Sequence, residues 1–135
     1  LGDSVIVTMG KKGEEMASMV ARELNTDYAS AESSRDRRTG EVTIELEEVS
    51  AEKAVVVDDI ISTGGTMASV IRELKKMGVK NVYAACIHAL LVGGAVEKIM
   101  GSGAERIISS DTIPNNYAEY SVIELVKEAI CRELG

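Results

Sequence analysis

Apolar residues along this chain follow two patterns, short continuous or alternating runs and longer segments in which they recur every three or four positions. The runs predict strands. Their positions are residues 4–8, 27–31, 41–46, 55–57, 81–88 and 105–109. The recurring segments predict amphipathic helices at residues 14–24, 67–77, 94–100 and 121–134. Because strands and helices alternate, we expect an α/β fold with a mainly parallel sheet flanked by helices.

The last predicted helix has the clearest start and the clearest apolar face. Ser121 and Glu124 have the spacing of a capping box, in which a hydroxyl and a carboxylate satisfy backbone N–H groups at the helix start. The apolar residues that follow recur at helical spacing, so we expect them to form a buried stripe. These residues are Val122, Leu125, Val126, Ala129, Ile130 and Leu134.

Residues 54–67 combine an apolar strand with two carboxylates. The run Val55, Val56, Val57 is β-branched and contains no polar residue, as expected for a central strand of a parallel sheet. Asp58 and Asp59 follow at its carboxyl end, where open α/β sheets place their ligands. Two adjacent carboxylates suit vicinal hydroxyls, or a cation held by a phosphorylated substrate.

The turn after the carboxylates is small, hydroxyl-rich and flexible. It consists of Ser62, Thr63, Gly64, Gly65 and Thr66. Its hydroxyls and unobstructed N–H groups stand at the start of a helix, where the helix dipole favours an anion. The segment therefore predicts a sugar-phosphate site. The alternative is an ordinary turn with Thr63 or Thr66 as a helix cap, but such a turn gains nothing from two like charges beside it.

Two further segments carry cations. Lys11 and Lys12 lie between two glycines before a predicted helix, so they can bind an anion such as pyrophosphate or form a solvated turn. Residues 33–40 are polar and turn-prone, and we expect a mobile loop there. The arginines of this loop either close over a phosphorylated ligand or keep the loop soluble; they are Arg35, Arg37 and Arg38.

Composition limits the classes of protein to which the chain can belong. A chain of 135 residues with 45% hydrophobic content can bury one core, so we expect a single domain over residues 1–135. The chain starts almost within its first strand, and we expect it to be part of a longer protein. The net charge of −7, without a long basic run, argues against nucleic acid as a partner.

The remaining chemistry is sparse. No stretch reaches the roughly 18 apolar residues that span a bilayer, so we expect a soluble, cytoplasmic protein with no membrane partner. Cys86 and Cys131 lie in apolar or helical patterns, and we interpret them as packed hydrophobes without a disulfide. His88 ends a predicted strand on the same sheet edge as Asp58, where it is either a structural hydrogen-bonding group or a catalytic one.

Residues 55–66 resemble the phosphoribosyl-diphosphate loop of the type I phosphoribosyltransferase family. That resemblance implies that Asp58 and Asp59 hold the ribose 2- and 3-hydroxyls. It also implies that residues 62–66 hold the 5-phosphate. The expected ligand is accordingly ribose 5-phosphate or phosphoribosyl diphosphate.

Further segments are similar to the carboxyl-terminal half of ribose-phosphate pyrophosphokinases, namely residues 35–42, 87–89, 93–95, 111–114, 121–122 and 128–130. The resemblance implies magnesium-dependent transfer of diphosphate from ATP to ribose 5-phosphate, a step of nucleotide biosynthesis. Arg35 would stabilise the transferring group, and ATP would bind only when the other half is present. We also expect an oligomer. Two alternatives stay open: a stand-alone phosphoribosyltransferase with Lys11 and Lys12 in its pyrophosphate loop, and a non-catalytic relative that senses or regulates.

The chain departs from the family's pattern at two positions. Ser33 stands where the family has a lysine two residues before the arginine, and residues 7–11 lack the family's metal-binding acid. Phosphoryl transfer depends on such cations. We therefore expect this chain to bind ribose 5-phosphate better than it catalyses.

Overall fold

The computed structural model describes residues 3–135. Its strands are β1 (Ser4–Met9), β2 (Asp27–Arg35), β3 (Val42–Leu46), β4 (Lys53–Ile61), β5 (Asn81–Ala89), β6 (Ala104–Ser110) and β7 (Ala118–Tyr120). Its helices are α1 (Lys11–Leu24), α2 (Gly65–Lys76), α3 (Ala95–Gly101) and α4 (Ile123–Leu134). None of these helices is long and apolar enough to cross a membrane.

The strands form one seven-stranded sheet in the order β3-β2-β1-β4-β5-β6-β7. All neighbouring strands are parallel except β2 and β3. The predicted α/β fold with a mainly parallel sheet is therefore confirmed. The chain leaves β1 through α1 toward one side of the sheet, and leaves β4 through α2 toward the other. Strands β1 and β4 thus flank the point where the strand order reverses, which is where sheets of this kind form a crevice.

The core consists of two apolar layers, one on each face of the sheet. Helix α2 packs Val70, Ile71 and Leu74 against the face that includes Val56. Helix α1 covers the other face with small residues, of which Ala17 is fully buried. This double coverage explains the apolar run of β4 and holds its carboxyl end in a fixed position.

The predicted loop at residues 33–40 is shorter in the structure, since residues 36–40 form a turn but residues 33–35 belong to a strand. Strand β2 extends through Ser33 to Arg35 and pairs antiparallel with β3, so that Arg35 lies opposite Val42. The turn of this β2–β3 hairpin is closed by Asp36, whose Oδ1 accepts hydrogen bonds from the N–H groups of Arg38 (2.7 Å) and Thr39 (3.1 Å). An aspartate that binds the backbone two and three residues ahead favours a tight turn, and this local preference was not weighed in the prediction.

The predicted buried stripe on the last helix is wrong. None of the residues of α4 is buried, and Ile123 and Leu134 are 65% and 84% exposed. The capping box is also incomplete: the Ser121 hydroxyl accepts a hydrogen bond from the N–H of Ile123, but the Glu124 carboxylate accepts one from Lys127. The periodic pattern correctly indicates a helix with an apolar face, but periodicity does not determine whether another element covers that face.

Two boundaries also differ from those predicted. Helix α1 begins at Lys11, so the predicted turn between the glycines is its first helical turn. Strand β4 continues to Ile61, so Asp58 and Asp59 lie in its last residues and do not follow it. Strand β7 was not predicted, because its three residues are exposed and follow no apolar pattern.

Candidate functional site

The candidate site lies at the carboxyl ends of β1 and β4, in the crevice where the strand order reverses. It contains two neighbouring cavities that share Met9 and Asp58 in their walls. The first, about 180 Å³, is lined by those two residues and by residues 60–67. The second, about 260 Å³, lies between Asp59 and the first turns of α1. The structure therefore brings the carboxylates and the 62–66 turn together, as the sequence predicts.

Asp58 and Asp59 differ in burial and in acidity. Burial raises the pKa of the half-buried Asp58 to about 6, and the hydrogen bond that its carboxyl donates to Asp59 adds to the rise. The same hydrogen bond lowers the pKa of the exposed Asp59. The backbone also fixes both groups, since the N–H of Asp59 donates to Asp58 Oδ1 and that of Ile60 donates to Asp59 Oδ1, each at 2.8 Å. The pair presents several acceptor oxygens to the cavities, as a vicinal diol requires.

The 62–66 turn exposes its polar groups to the first cavity and buries its centre. Ser62, Thr63 and Thr66 are exposed, whereas Gly64 is buried. Gly64 has a φ of 73°, and a Cβ added there would lie 3.1 Å from the carbonyl oxygen of Ala95. No side chain caps α2, so the alternative in which Thr63 or Thr66 is a helix cap finds no support among the described residues. The first-turn N–H groups of α2 remain available for an anion.

The structure brings one of the two candidate lysines into the site. Lys12 lines the second cavity together with Asp58 and Asp59, whereas Lys11 is exposed and lines neither cavity. The backbone at this turn is closely packed, because a Cβ at Gly13 would lie 1.9 Å from the buried Oγ1 of Thr8. A lysine beside two carboxylates can balance an anionic ligand that occupies the cleft.

Arg35 does not lie in the candidate site of this structure. Strand β1 pairs with β2 only as far as Met9 and Ala31, so the end of the β2–β3 hairpin extends past the carboxyl edge of the sheet. Arg35 is exposed there and lines neither cavity. Its assignment as a residue that acts on the ligand requires the hairpin to move.

A hairpin that moves should be cut readily by a protease. We expect trypsin to cleave the free protein first after Arg35, Arg37 or Arg38, because these exposed residues lie within or next to the turn of a two-stranded ribbon. Asp36→Ala removes the acceptor of two turn N–H groups and should speed that cleavage several-fold. Mass spectrometry of the first fragments measures both effects. Initial cleavage elsewhere, with these arginines protected, would contradict a mobile hairpin.

His88 forms part of a hydrogen-bonded network behind the site. Its Nδ1 lies 2.9 Å from Thr112 Oγ1, and the Thr112 hydroxyl donates to the carbonyl oxygen of Ile87 at 3.1 Å. Ser110 donates to the same carbonyl oxygen at 2.5 Å. Of the two interpretations of His88, this geometry supports the structural one, in which the imidazole ties the loop after β6 to the end of β5.

Sequence reasoning missed the segment that supports the 62–66 turn from behind, residues 90–98. Ala95, together with Ile99 just after the segment, packs against Gly64, and Lys98 donates hydrogen bonds to the carbonyl oxygens of Thr63 (3.3 Å) and Gly93 (2.9 Å). Each of these contacts has a backbone group on at least one side, and the residue types do not reveal where a backbone group is contacted. The glycine pair at Gly93 and Gly94 was the available signal, because both adopt positive φ.

No group of three or more His, Cys, Asp or Glu side chains within residues 3–135 is arranged to hold a metal ion. In the two cavities of the candidate site, the carboxylate oxygens come from the adjacent residues Asp58 and Asp59. Mg²⁺ commonly binds through one or two carboxylates and completes its coordination with substrate phosphates and water. The donor set fits an ion that arrives with a phosphorylated ligand.

A larger cavity, about 760 Å³, lies elsewhere, between α1 and the β2–β3 hairpin. Its polar wall is mainly acidic, with Glu14, Glu32, Glu45 and Glu47. Those carboxylates repel phosphate, so size alone does not identify the phosphate site. The smaller cavities at β1 and β4 combine acceptors, N–H donors and a lysine.

Comparison with known proteins places this chain in a family. The sequence profile of the phosphoribosyl transferase domain matches residues 2–116. The ribose-phosphate pyrophosphokinase of Sulfurisphaera tokodaii is 39% identical over 123 residues, which are 89% of this chain and 42% of that protein. Ribose-phosphate pyrophosphokinase 2 of Archaeoglobus fulgidus is 37% identical over 129 residues, which are 95% of this chain and 48% of that protein.

Solved structures agree on the fold. The phosphoribosylpyrophosphate synthetase of Mycobacterium smegmatis matches with a TM-score of 0.79 and 24% identity, over 98% of this chain and 46% of that one. Adenine phosphoribosyl transferase of Trypanosoma brucei matches with a TM-score of 0.65 and 16% identity, over 87% of this chain and 60% of that one. The predicted resemblance to ribose-phosphate pyrophosphokinases is confirmed, and the chain spans less than half the length of those two relatives. The chain belongs to the phosphoribosyl transferase domain family.

Proposed function

We propose that this chain binds ribose 5-phosphate and its activated form, phosphoribosyl diphosphate. The observation that carries the proposal is that one cavity has both Asp58 and the 62–66 turn in its walls. A ribose phosphate presents vicinal hydroxyls and a phosphate monoester a few ångströms apart. Carboxylates accept hydrogen bonds from the hydroxyls, and N–H groups at a helix start bind the phosphate.

Each group of the site has a defined part in this proposal. Asp58 and Asp59 bind the 2- and 3-hydroxyls, and the 62–66 turn binds the 5-phosphate. Lys12, which lines the second cavity with both carboxylates, binds the pyrophosphate of the activated sugar. Mg²⁺, held by the carboxylates and the ligand together, would neutralise charge on the diphosphate.

In a complete protein with a second half, the proposed reaction is diphosphate transfer from ATP to ribose 5-phosphate, as the names of the relatives suggest. Arg35 would stabilise the transferring group after movement of the β2–β3 hairpin. Ser33 lies on the same hairpin opposite Ile44 and supplies no charge. Of the lysine and arginine that the family's pattern has two residues apart, this hairpin keeps only the arginine, Arg35, and the loss of the lysine favours binding over turnover.

Lys12 favours a second candidate, a phosphoribosyltransferase that consumes the activated sugar. Its position beside the carboxylates suits a ligand with both ribose hydroxyls and pyrophosphate. A non-catalytic relative would use the same site without turnover. The transferase requires tight binding of pyrophosphate together with a base, whereas a sensor binds the sugar phosphate and forms no product.

Titration calorimetry with ribose 5-phosphate tests the proposal. We expect Asp59→Asn to weaken binding at least tenfold, because an amide removes charge and acceptor capacity from the diol site. The thermal midpoint should stay unchanged or rise, since the substitution removes a like-charge neighbour of Asp58.

Asp27→Asn is the matched control, because it removes one exposed carboxylate from the amino end of β2, far from the site. It should leave affinity unaltered. Equal affinity in Asp59→Asn and the unaltered chain would refute the assignment of the carboxylates to the ribose hydroxyls.

A further inference from the structure

The 90–98 segment holds successive carbonyl groups at the end of β4 and the start of the 62–66 turn. The N–H groups of Leu90 and Leu91 donate to the carbonyl oxygen of Ile61, at 3.0 and 3.1 Å. The N–H of Val92 donates to the carbonyl oxygen of Ser62 at 3.0 Å. The next carbonyl oxygen, that of Thr63, accepts from Lys98 Nζ at 3.3 Å.

These bonds determine the direction of the N–H groups in the same peptide units. In a trans peptide the C=O of one residue and the N–H of the next point in opposite directions, and every described peptide bond is trans. The N–H groups of Ser62, Thr63 and Gly64 therefore point away from the 90–98 segment. That segment contributes no lining residue to the first cavity, which the 62–66 turn lines. The three N–H groups thus lie on the side of the turn opposite that segment, and successive backbone N–H groups can bind an anion between them.

One of the three peptides depends on a side chain. The carbonyl groups of Ile61 and Ser62 are held by backbone N–H groups, which any residue except proline supplies. The carbonyl of Thr63 is held by Lys98, whose ammonium also donates to Gly93 O at 2.9 Å. Thr63 is followed by two glycines, Gly64 and Gly65, and Gly64 has a φ of 73°. Glycine permits peptide rotations that other residues resist, so this peptide needs an external contact to keep one orientation.

We propose that Lys98 is a positioning residue for phosphate, because it fixes the Thr63–Gly64 peptide with the Gly64 N–H directed into the first cavity. Without the ammonium, the peptide can rotate and present the carbonyl oxygen of Thr63 to the ligand. An oxygen there repels a phosphate instead of donating to it. The inference rests on the proposed function, since it assumes that the first cavity takes the 5-phosphate of the sugar.

A purely structural role would have different consequences. If Lys98 only ties α3 to the 62–66 turn, its loss should lower stability without altering the Gly64 amide in a ligand-dependent way. If it acts only as a nearby positive charge, its loss should weaken binding and leave the Gly64 amide unchanged. The positioning role requires both an affinity change and a change at Gly64.

The experiment compares the 135-residue chain with Lys98→Met, Lys98→Arg and Lys75→Met. Methionine keeps an unbranched stem and removes the donors, whereas arginine keeps charge and donors. Lys75→Met is the matched control, because Lys75 also donates to a backbone carbonyl, that of Lys80 at 2.5 Å, at the other end of α2. Calorimetry gives the affinity for ribose 5-phosphate, and ¹H–¹⁵N NMR spectra follow the Gly64 amide.

We expect Lys98→Met to weaken ribose 5-phosphate binding about tenfold, as for loss of one well-placed hydrogen bond. The Gly64 amide signal should move in the free variant and lose most of its response to ligand. Lys98→Arg should restore affinity to within about threefold, and Lys75→Met should match the unaltered chain.

The two proposals fail in different ways. If the unaltered chain does not bind ribose 5-phosphate, the proposed function is wrong and this inference falls with it. If the unaltered chain binds and Lys98→Met binds equally well, only the role of Lys98 is wrong. Weaker binding in Lys98→Met with an unchanged Gly64 amide would also overturn positioning, because it would show an effect of charge alone.

Discussion

Gly64→Ala should abolish ribose 5-phosphate binding and lower the free energy of unfolding by about 2–3 kcal/mol. Two costs combine at this position. The φ of 73° disfavours any residue with a Cβ, and the added Cβ would lie 3.1 Å from Ala95 O and from Ile99 Cδ1. Relief of the contact requires the 62–66 turn to move away from α3, which would disturb the N–H groups that the proposal assigns to phosphate.

Gly65→Ala provides the matched control, one residue along the same turn. Gly65 is the first residue of α2, it has no positive φ, and a Cβ there would meet nothing within 4 Å. Alanine favours the helix, so stability should stay equal or rise by up to about 1 kcal/mol. The added methyl group would narrow the approach of the ligand to the turn, so binding should weaken although the fold is intact.

Urea denaturation and calorimetry on both variants measure these effects. The expected pattern is loss of stability and binding in Gly64→Ala, and loss of binding alone in Gly65→Ala. Equal stability in the two variants would show that the packing of Gly64 against α3 contributes little to the fold. Full ligand affinity in both would show that the phosphate does not approach this backbone.

The contrast between these two glycines shows what the sequence could reveal about the site. Both were predicted as parts of a phosphate-binding turn, because small residues after a buried strand leave N–H groups accessible. Their separate roles depend on α3, which lies 30 residues further along the chain and packs against only one of them. Contacts between distant segments leave no local pattern in the sequence.

The centre of the sheet could be predicted because burial of a strand on both faces does leave a local pattern in the sequence. Strand β4 is covered on both faces, and full coverage leaves an uninterrupted apolar run such as Val55 to Val57. The parallel arrangement followed from the alternation of strands and helices. Exposed elements at the edges of the sheet leave no such pattern, so β7 was not predicted and the polar end of β2, residues 33–35, was interpreted as a loop.

Helix α4 shows a property that the sequence pattern did not predict, namely whether the apolar face of a helix is buried. Its periodicity is as regular as that of α2, yet α2 buries Val70, Ile71 and Leu74 whereas α4 buries nothing. Propensity and periodicity act within one element, and burial depends on the elements beside it. The same distinction applies to Arg35, whose residue type suits a phosphoryl group but whose position on the hairpin leaves it outside both cavities.

The pH dependence of stability should change when Asp58 is replaced by asparagine. Burial raises the pKa of Asp58 from its ordinary value of 3.8 to about 6. Between these two values the folded protein holds a proton that the unfolded chain has released. Stability from this group therefore falls as the pH rises from about 4 to 6. Asp59 has a lowered pKa, so its contribution is present above 3.8 and is lost as the pH falls below that value.

Asp58→Asn removes the first of these contributions. The thermal midpoint of the variant should change less between pH 4 and 6 than that of the unaltered chain. At pH 7 the midpoint of the variant should be higher, because no charge is then buried at this position. Asp27→Asn, at an exposed position, should keep the slope of the unaltered chain. A slope that persists in Asp58→Asn would assign the titration to another group.

The unaltered chain and Asp58→Asn should differ more strongly in ligand affinity than in stability. In the unaltered chain, ribose 5-phosphate affinity should rise between pH 5 and 7, as Asp58 loses its proton and becomes a full acceptor for a ribose hydroxyl. The ligand's phosphate also ionises near pH 6, so part of the rise belongs to the ligand. In Asp58→Asn, the part of the rise in affinity that comes from ionisation of the ligand phosphate should remain, and the part that comes from ionisation of Asp58 should be lost. At pH 7 the variant should bind ribose 5-phosphate about 10- to 100-fold more weakly than the unaltered chain. Calorimetry at pH 5, 6 and 7 measures the difference between the two curves. Parallel curves would mean that the half-buried carboxyl of Asp58 does not meet the sugar, and the ribose would then have to be assigned to Asp59 alone.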